Sequence, residues 1–280
     1  MRISRQAGWL AVGLLGFAAA AFSQRFGGRG GFGGFGGFGG FRSEAPESEF
    51  SPNAEFHFLR VEYSDYTGRG FGGVSRRGRA FGWWAQDWPD ADEHFTKGVQ
   101  RLTRMNVGDP QHVSLTDEKL FDYPWIYATQ TGYWNLSDQE TAHLREYLLR
   151  GGFLMTDDFW EQQEYGVFQD TMNRVLPGQP ITDIGLDDSV MHVLYDIQAK
   201  DLTFIPGSRH LCGRGICQPP GTQPAWQAMY DPKNRMVVAV NFNTDIGDAW
   251  EFADVPYYPE AMTTLAYRYG INYLMYSITH

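Results

Sequence analysis

From residue 55 onward the apolar positions change period repeatedly, and each change marks an element. Phe56, Phe58, Leu59, Val61 and Tyr63 form an opening strand-rich run. Asp90 and Glu93 have capping-box spacing and precede Phe95, Val99 and Leu102 at helical spacing. Trp125-Ile126-Tyr127-Ala128 predicts a strand after Pro124. Ser137 and Glu140 predict a second capping box, opening a helix that buries Leu144 and Leu148 and stops at Gly151-Gly152. Phe153-Leu154-Met155 predicts a short strand, and Tyr165, Phe168, Met172 and Val175 a helix stopped by Pro177. Met236 to Val240 is unbroken in apolar character, as in a strand covered on both faces. It pairs with Met229-Tyr230 across Asp231-Pro232-Lys233-Asn234 as an antiparallel hairpin. Glu260 to Thr279 reads as a final helix weakened at Gly270. Alternating strands and helices predict an α/β domain over 54–280, with a mainly parallel sheet flanked by helices.

The first 53 residues follow other rules. Arg2 and Arg5 precede an uncharged run from Ala7 to Phe22, and Ala21-Phe22-Ser23 offers small residues at a cleavage site. Residues 1–23 therefore read as a signal peptide. The alternative is an uncleaved anchor, the one route by which this chain would touch a membrane. Gly27 to Gly40 contains 10 glycines and a repeated Phe-Gly-Gly, too little apolar surface to repay the entropy of ordering. Residues 24–53 read as a disordered linker with a mean reach of about 30 Å.

Composition narrows the function. Aromatics are 16% of the 280 residues, which excludes a wholly disordered chain. The formal charge of −10, from 23 basic and 33 acidic residues, opposes nucleic-acid binding. An exported protein of the periplasm or cell envelope is expected, and its two cysteines, Cys212 and Cys217, should close a disulfide around a Gly-containing loop.

Several ordered motifs carry a family resemblance. They include Phe58-Leu59-Arg60-Val61-x-Tyr63, Leu120-Phe121-Asp122-Tyr123-Pro124 and Leu144-Arg145-Glu146-Tyr147-Leu148. They continue with Gly151-Gly152-Phe153-Leu154-x-x-Asp157-Asp158-Phe159-Trp160, Asn243-x-Asp245-x-Gly247-Asp248-Ala249-Trp250-Glu251 and Gly270-Ile271-Asn272-Tyr273. Across 54–280 the chain resembles the bacterial domain-of-unknown-function family 4159. That resemblance implies a class I glutamine amidotransferase-like, flavodoxin-like fold and no established activity. The amidotransferase thiol chemistry lacks its nucleophile: where a strand-to-helix elbow would carry Cys, this chain has Thr156-Asp157-Asp158.

Asp157 and Asp158 follow an apolar strand, where open α/β sheets bind ligands. They either enter a site or cap the following helix. A second polar group, Asn243, Asp245, Asp248, Trp250 and Glu251, follows the Met236 strand. Its Asn241-x-Asn243-x-Asp245 opening matches a calcium loop, but Ile246 occupies the glycine position and Phe252 the final acid. An EF-hand is excluded. An irregular divalent-cation site from Asp157 or Asp158 with Asp245 and Asp248 stays open beside an Asx-turn network; no other cofactor is indicated. Trp160 and Trp250 are candidate platforms for a ligand such as a glycan. Two readings follow. The favoured one is a non-catalytic module that binds a ligand, glycan or envelope partner. The alternative is a carboxylate-based hydrolase using Asp157 or Asp158, with or without a divalent cation.

Overall fold

The computed structural model describes residues 53–66, 82–213 and 215–280, all of which fall in one unit. The expected signal peptide over 1–23 and nearly all of the expected linker over 24–53 lie outside the described residues.

Among the described residues, nine strands and five α-helices alternate along the chain. The strands of the main sheet are β1 (Leu59–Glu62), β2 (Gln111–Ser114), β3 (Trp125–Thr129), β4 (Phe153–Asp157), β5 (Thr182–Asp183), β8 (Ala225–Tyr230) and β9 (Met236–Phe242). A separate small hairpin is formed by β6 (Leu211–Cys212) and β7 (Gly215–Ile216). The helices are α1 (Asp90–Thr103), α2 (Asp138–Leu149), α3 (Glu161–Val175), α4 (Ile246–Glu251) and α5 (Glu260–Thr279). The main sheet has seven strands in the order β2-β1-β3-β4-β9-β8-β5. The five from β2 to β9 run parallel, β8 pairs antiparallel with β9, and β5 pairs antiparallel with β8. The fold is therefore α/β with a mixed, mostly parallel sheet.

Alternation along each strand divides the core in two. Trp125 and Tyr127 of β3, with Phe153 and Met155 of β4, face α1, α4 and α5. Ile126, Ala128 and Leu154 face α2 and α3 through Leu144, Leu148, Phe168 and Met172. Helices thus cover both faces, which is why β3, β4 and β9 carry no exposed residue and could not be read as alternating strands.

Local signals held where they were strongest. Ser137 and Glu140 form the reciprocal capping box of α2. The hairpin joining β8 to β9 lies where the apolar runs require it. Asp90 does not cap α1: Pro89 occupies that position without a side-chain cap, and Asp90, Asp92 and Glu93 fall in the first turn, where their charge suits the helix N-terminus. Leu102 is 51% exposed, because the last turn of α1 leaves the packed face. Gly270 does not interrupt α5. A Cβ there would lie 2.6 Å from both Phe95 and Trp250, so the glycine lets α5 approach α1 and α4. No helix among the described residues is long and apolar enough to cross a membrane.

Candidate functional site

Parallel pairing of β4 with β9 brings both acidic segments to one edge of the sheet, beyond the strands' carboxyl ends. Asp157 is the last residue of β4 and fully buried. Its Oδ1 accepts a 2.6 Å hydrogen bond from the Tyr127 hydroxyl. Its Oδ2 accepts the backbone N–H groups of Ile246 and Gly247 at 2.7 and 2.8 Å, so it anchors the start of α4. Contrary to the capping role expected, the pair does not cap the helix that follows: Asp157 anchors a distant helix, and among the described residues Asp158 accepts only side-chain donors. The following helix, α3, starts instead with the Glu161 N–H donating to Asn243 Oδ1 at 3.0 Å.

Asp158 turns away from Asp157 through a left-handed backbone, φ 50°. The Trp160 indole donates to its Oδ1 at 2.5 Å, Gln130 Nε2 donates to its Oδ2, and Arg209 approaches at 3.5 Å. Asp158 is 2% exposed. Burial, with the nearby Asp248 and Asp157 carboxylates, pushes its pKa up to about 8, against the pull of Arg209 and Trp160. Burial also raises Asp157, to about 6, a smaller rise because its three hydrogen bonds favour the anion.

Asp245 is the N-cap of α4 and accepts the Asp248 N–H at 2.7 Å. Asp248 in turn accepts the Ser208 N–H. Asp87 completes the acidic group. Oxygens of Asp87, Asp245 and Asp248 lie within 4.8 Å of one another, and all three residues are buried. Asp87, rather than Asp158, is therefore the third acid beside Asp245 and Asp248. Burial drives both Asp87 and Asp245 well above the usual carboxylate range, and repulsion adds to it: Asp248 acts on Asp87, and Asp158 on Asp245.

Asp87 reaches this position through Arg60. The fully buried Arg60 guanidinium pairs with Asp92 at 2.5 Å and donates to the Trp84 and Gln86 carbonyls at 3.1 and 2.7 Å, fixing the segment that carries Asp87. Five of the seven described non-glycine residues with positive φ gather at this edge: Asp87, Gln130, Asp158, Glu161 and Asn243. Such strained backbone persists where surrounding contacts over-determine it.

Beside the acids lies a cleft of about 670 Å³, lined among others by Tyr133, Trp160, Glu161, Glu164, Arg209 and His210. The Arg209 guanidinium lies 5.1 Å from the Trp160 ring centroid, and the Trp160 and His210 rings are 4.5 Å apart. Burial and the adjacent Arg209 hold His210 down to about 4, keeping it neutral.

Two residues of the expected site do other work. Trp250 is no platform: it is fully buried among Phe58, Phe95 and Tyr127 in the core beneath α4. Asn243 is a clip, receiving the Glu161 N–H and donating to the Gln223 carbonyl at 2.8 Å. Glu251 is buried and adds negative charge near Asp87. Cys212 and Cys217 face each other across the small hairpin with Cα atoms 5.8 Å apart.

A family profile described as Domain of unknown function (DUF4159) matches residues 71–278, which is 208 of the 280 residues. The chain belongs to this family. The match begins later than residue 54, and β1 precedes it, so the first strand of the sheet lies outside the matched DUF4159 region. No curated protein matches the chain.

Proposed function

We propose that this DUF4159 protein is an exported, non-catalytic envelope module that binds a small polar ligand or glycan in the cleft beside Trp160. The observation that carries the reading is the place of the cleft. Its lining comes from the segments after β1 (Tyr66), β3 (Tyr133) and β4 (Trp160). Counting β9 as the fifth parallel strand, the order is that of a flavodoxin-like sheet, and the order reverses between β1 and β3. Ligands of open α/β sheets bind at that reversal. Aromatic faces beside a guanidinium suit a sugar or an anionic small molecule.

Binding is favoured over hydrolysis because the two adjacent carboxyls are already engaged. Asp157 holds α4 and Tyr127, and Asp158 holds Trp160 and Gln130. Neither carboxyl lines the cleft. The uncharged Ala7–Phe22 run and the cysteine pair within bonding reach support export to an oxidising compartment. The intact mass of the exported, non-reduced protein reads both points, with residues 1–23 lost and two hydrogens fewer than the dithiol.

Tryptophan fluorescence of the purified protein, titrated with neutral and acidic oligosaccharides, tests the cleft. Saturable binding to one class, lost in Trp160→Ala and weakened at least tenfold in Arg209→Ala, is the expected result. Binding that survives both substitutions, no binding at all, or turnover of an oligosaccharide overturns the reading.

A further inference from the structure

We propose that Asp87, Asp245 and Asp248 hold a hard divalent cation beneath the loop from Pro206 to His210. The cluster is separate from the cleft lining and does not depend on the cleft binding anything. Three carboxylates from two distant chain segments converge, each offering an oxygen within 4.8 Å of the others. A cation bound at 2.0 to 2.6 Å by each oxygen accommodates such spacings, and a set made only of oxygens selects Mg²⁺, Mn²⁺ or Ca²⁺ over softer metals.

The independent observation is Asp87 Oδ2. Asp87 is 1% exposed, and this oxygen has no hydrogen-bond partner among the described residues. Its companion Oδ1 accepts the Gln86 side-chain amide at 2.7 Å, so the residue is oriented rather than loose. A buried carboxylate oxygen without a donor is costly, and a cation supplies what no neighbouring N–H or O–H does. Gly247 makes the approach feasible: a Cβ there would lie 2.8 Å from Asp87 Oδ2. The remaining ligand atoms are already placed. Asp245 accepts the Asp248 N–H through Oδ1, and Asp248 accepts the Ser208 N–H through Oδ2. Each of these residues therefore keeps its second oxygen for another contact. The nearby cations do not take the role. The Arg60 guanidinium is engaged by Asp92, and Arg209 approaches Asp158.

The test uses the full purified chain, stripped with chelator and titrated separately with Mg²⁺, Mn²⁺ and Ca²⁺, with metal content measured after dialysis. About one cation per chain is expected, together with a rise in Tm of roughly 5 °C at saturation. Asp87→Asn, whose folding is checked by circular dichroism, should weaken binding at least tenfold. Asp170→Asn on the exposed face of α3 should leave it unchanged. Which ion binds best identifies the cation. No stoichiometric ion and no Tm shift at about 10 mM, beyond the weakest extracellular calcium modules, overturns the proposal. Binding that Asp87→Asn leaves intact overturns it as well, because the ion then sits elsewhere.

Discussion

The hydroxyl of Tyr127 on β3 donates to Asp157 on β4 at 2.6 Å, and the same carboxylate carries the first turn of α4. One side chain thus ties two strands and a helix at the edge where the acids gather. Tyr127→Phe removes one of three donors and should cost about 1–2 kcal/mol. Asp157→Ala leaves the Tyr127 hydroxyl and two amide groups without their acceptor and should cost more, about 3 kcal/mol. Urea denaturation measures both; an Asp157→Ala loss below ~0.5 kcal/mol would show that α4 does not need its anchor.

Arg60 and Asp92 form a buried pair with side chains wholly shielded from solvent. Removing one partner strands the other charge, so Arg60→Met should destabilise by about 3–5 kcal/mol. The double variant Arg60→Met, Asp92→Leu should recover much of that loss, because neither charge of the pair is then left buried without the other. If Arg60→Met and the double variant have equal denaturation midpoints, the stranded-charge account fails.

The buried acids predict an unusual pH profile for the chelator-treated protein. A carboxyl raised on folding contributes stability that is fully present below its unfolded pKa and is lost as pH rises through its folded value. For Asp157 the loss ends near pH 6, and for Asp158 it continues to about 8. His210, held down to about 4, acts in the opposite sense, but only below its unfolded value of about 6.5. Between pH 6.5 and 8 the acids therefore act without it, and stability should fall with a slope of about 1 kcal/mol per pH unit for each carboxyl still titrating. Asp158→Asn should flatten that slope. Denaturant midpoints across this range, equal in Asp158→Asn and the parent, would contradict it.

How far the chain could be read depended on how local each determinant is. The Ser137–Glu140 box and the Met236 strand depend on residues close in sequence, and both emerged as read. The acids at 157–158 and 245–248 were legible because each follows an apolar strand. Asp87 was not, because no period surrounds it; a left-handed backbone and the distant Arg60 put it in place. Gln130, Arg209 and His210 come from connecting segments whose positions depend on tertiary packing. Trp250 misled for the same reason: its neighbours in sequence are acids, but its neighbours in space are Phe95 and Tyr127. The Asp90 signal was overridden one residue earlier, at Pro89.

The two ends of the seven-stranded sheet are unlike its middle. One is the four-residue β2, Gln111–Ser114, and the other the two-residue β5, whose Thr182 and Asp183 are both exposed. Each offers a further strand only a short and largely polar row of backbone groups, whereas the long apolar β9 is enclosed between β4 and β8. Sheets with edges this brief resist strand-by-strand growth into aggregates. Strand pairing between two copies of the domain is disfavoured at both ends of its sheet.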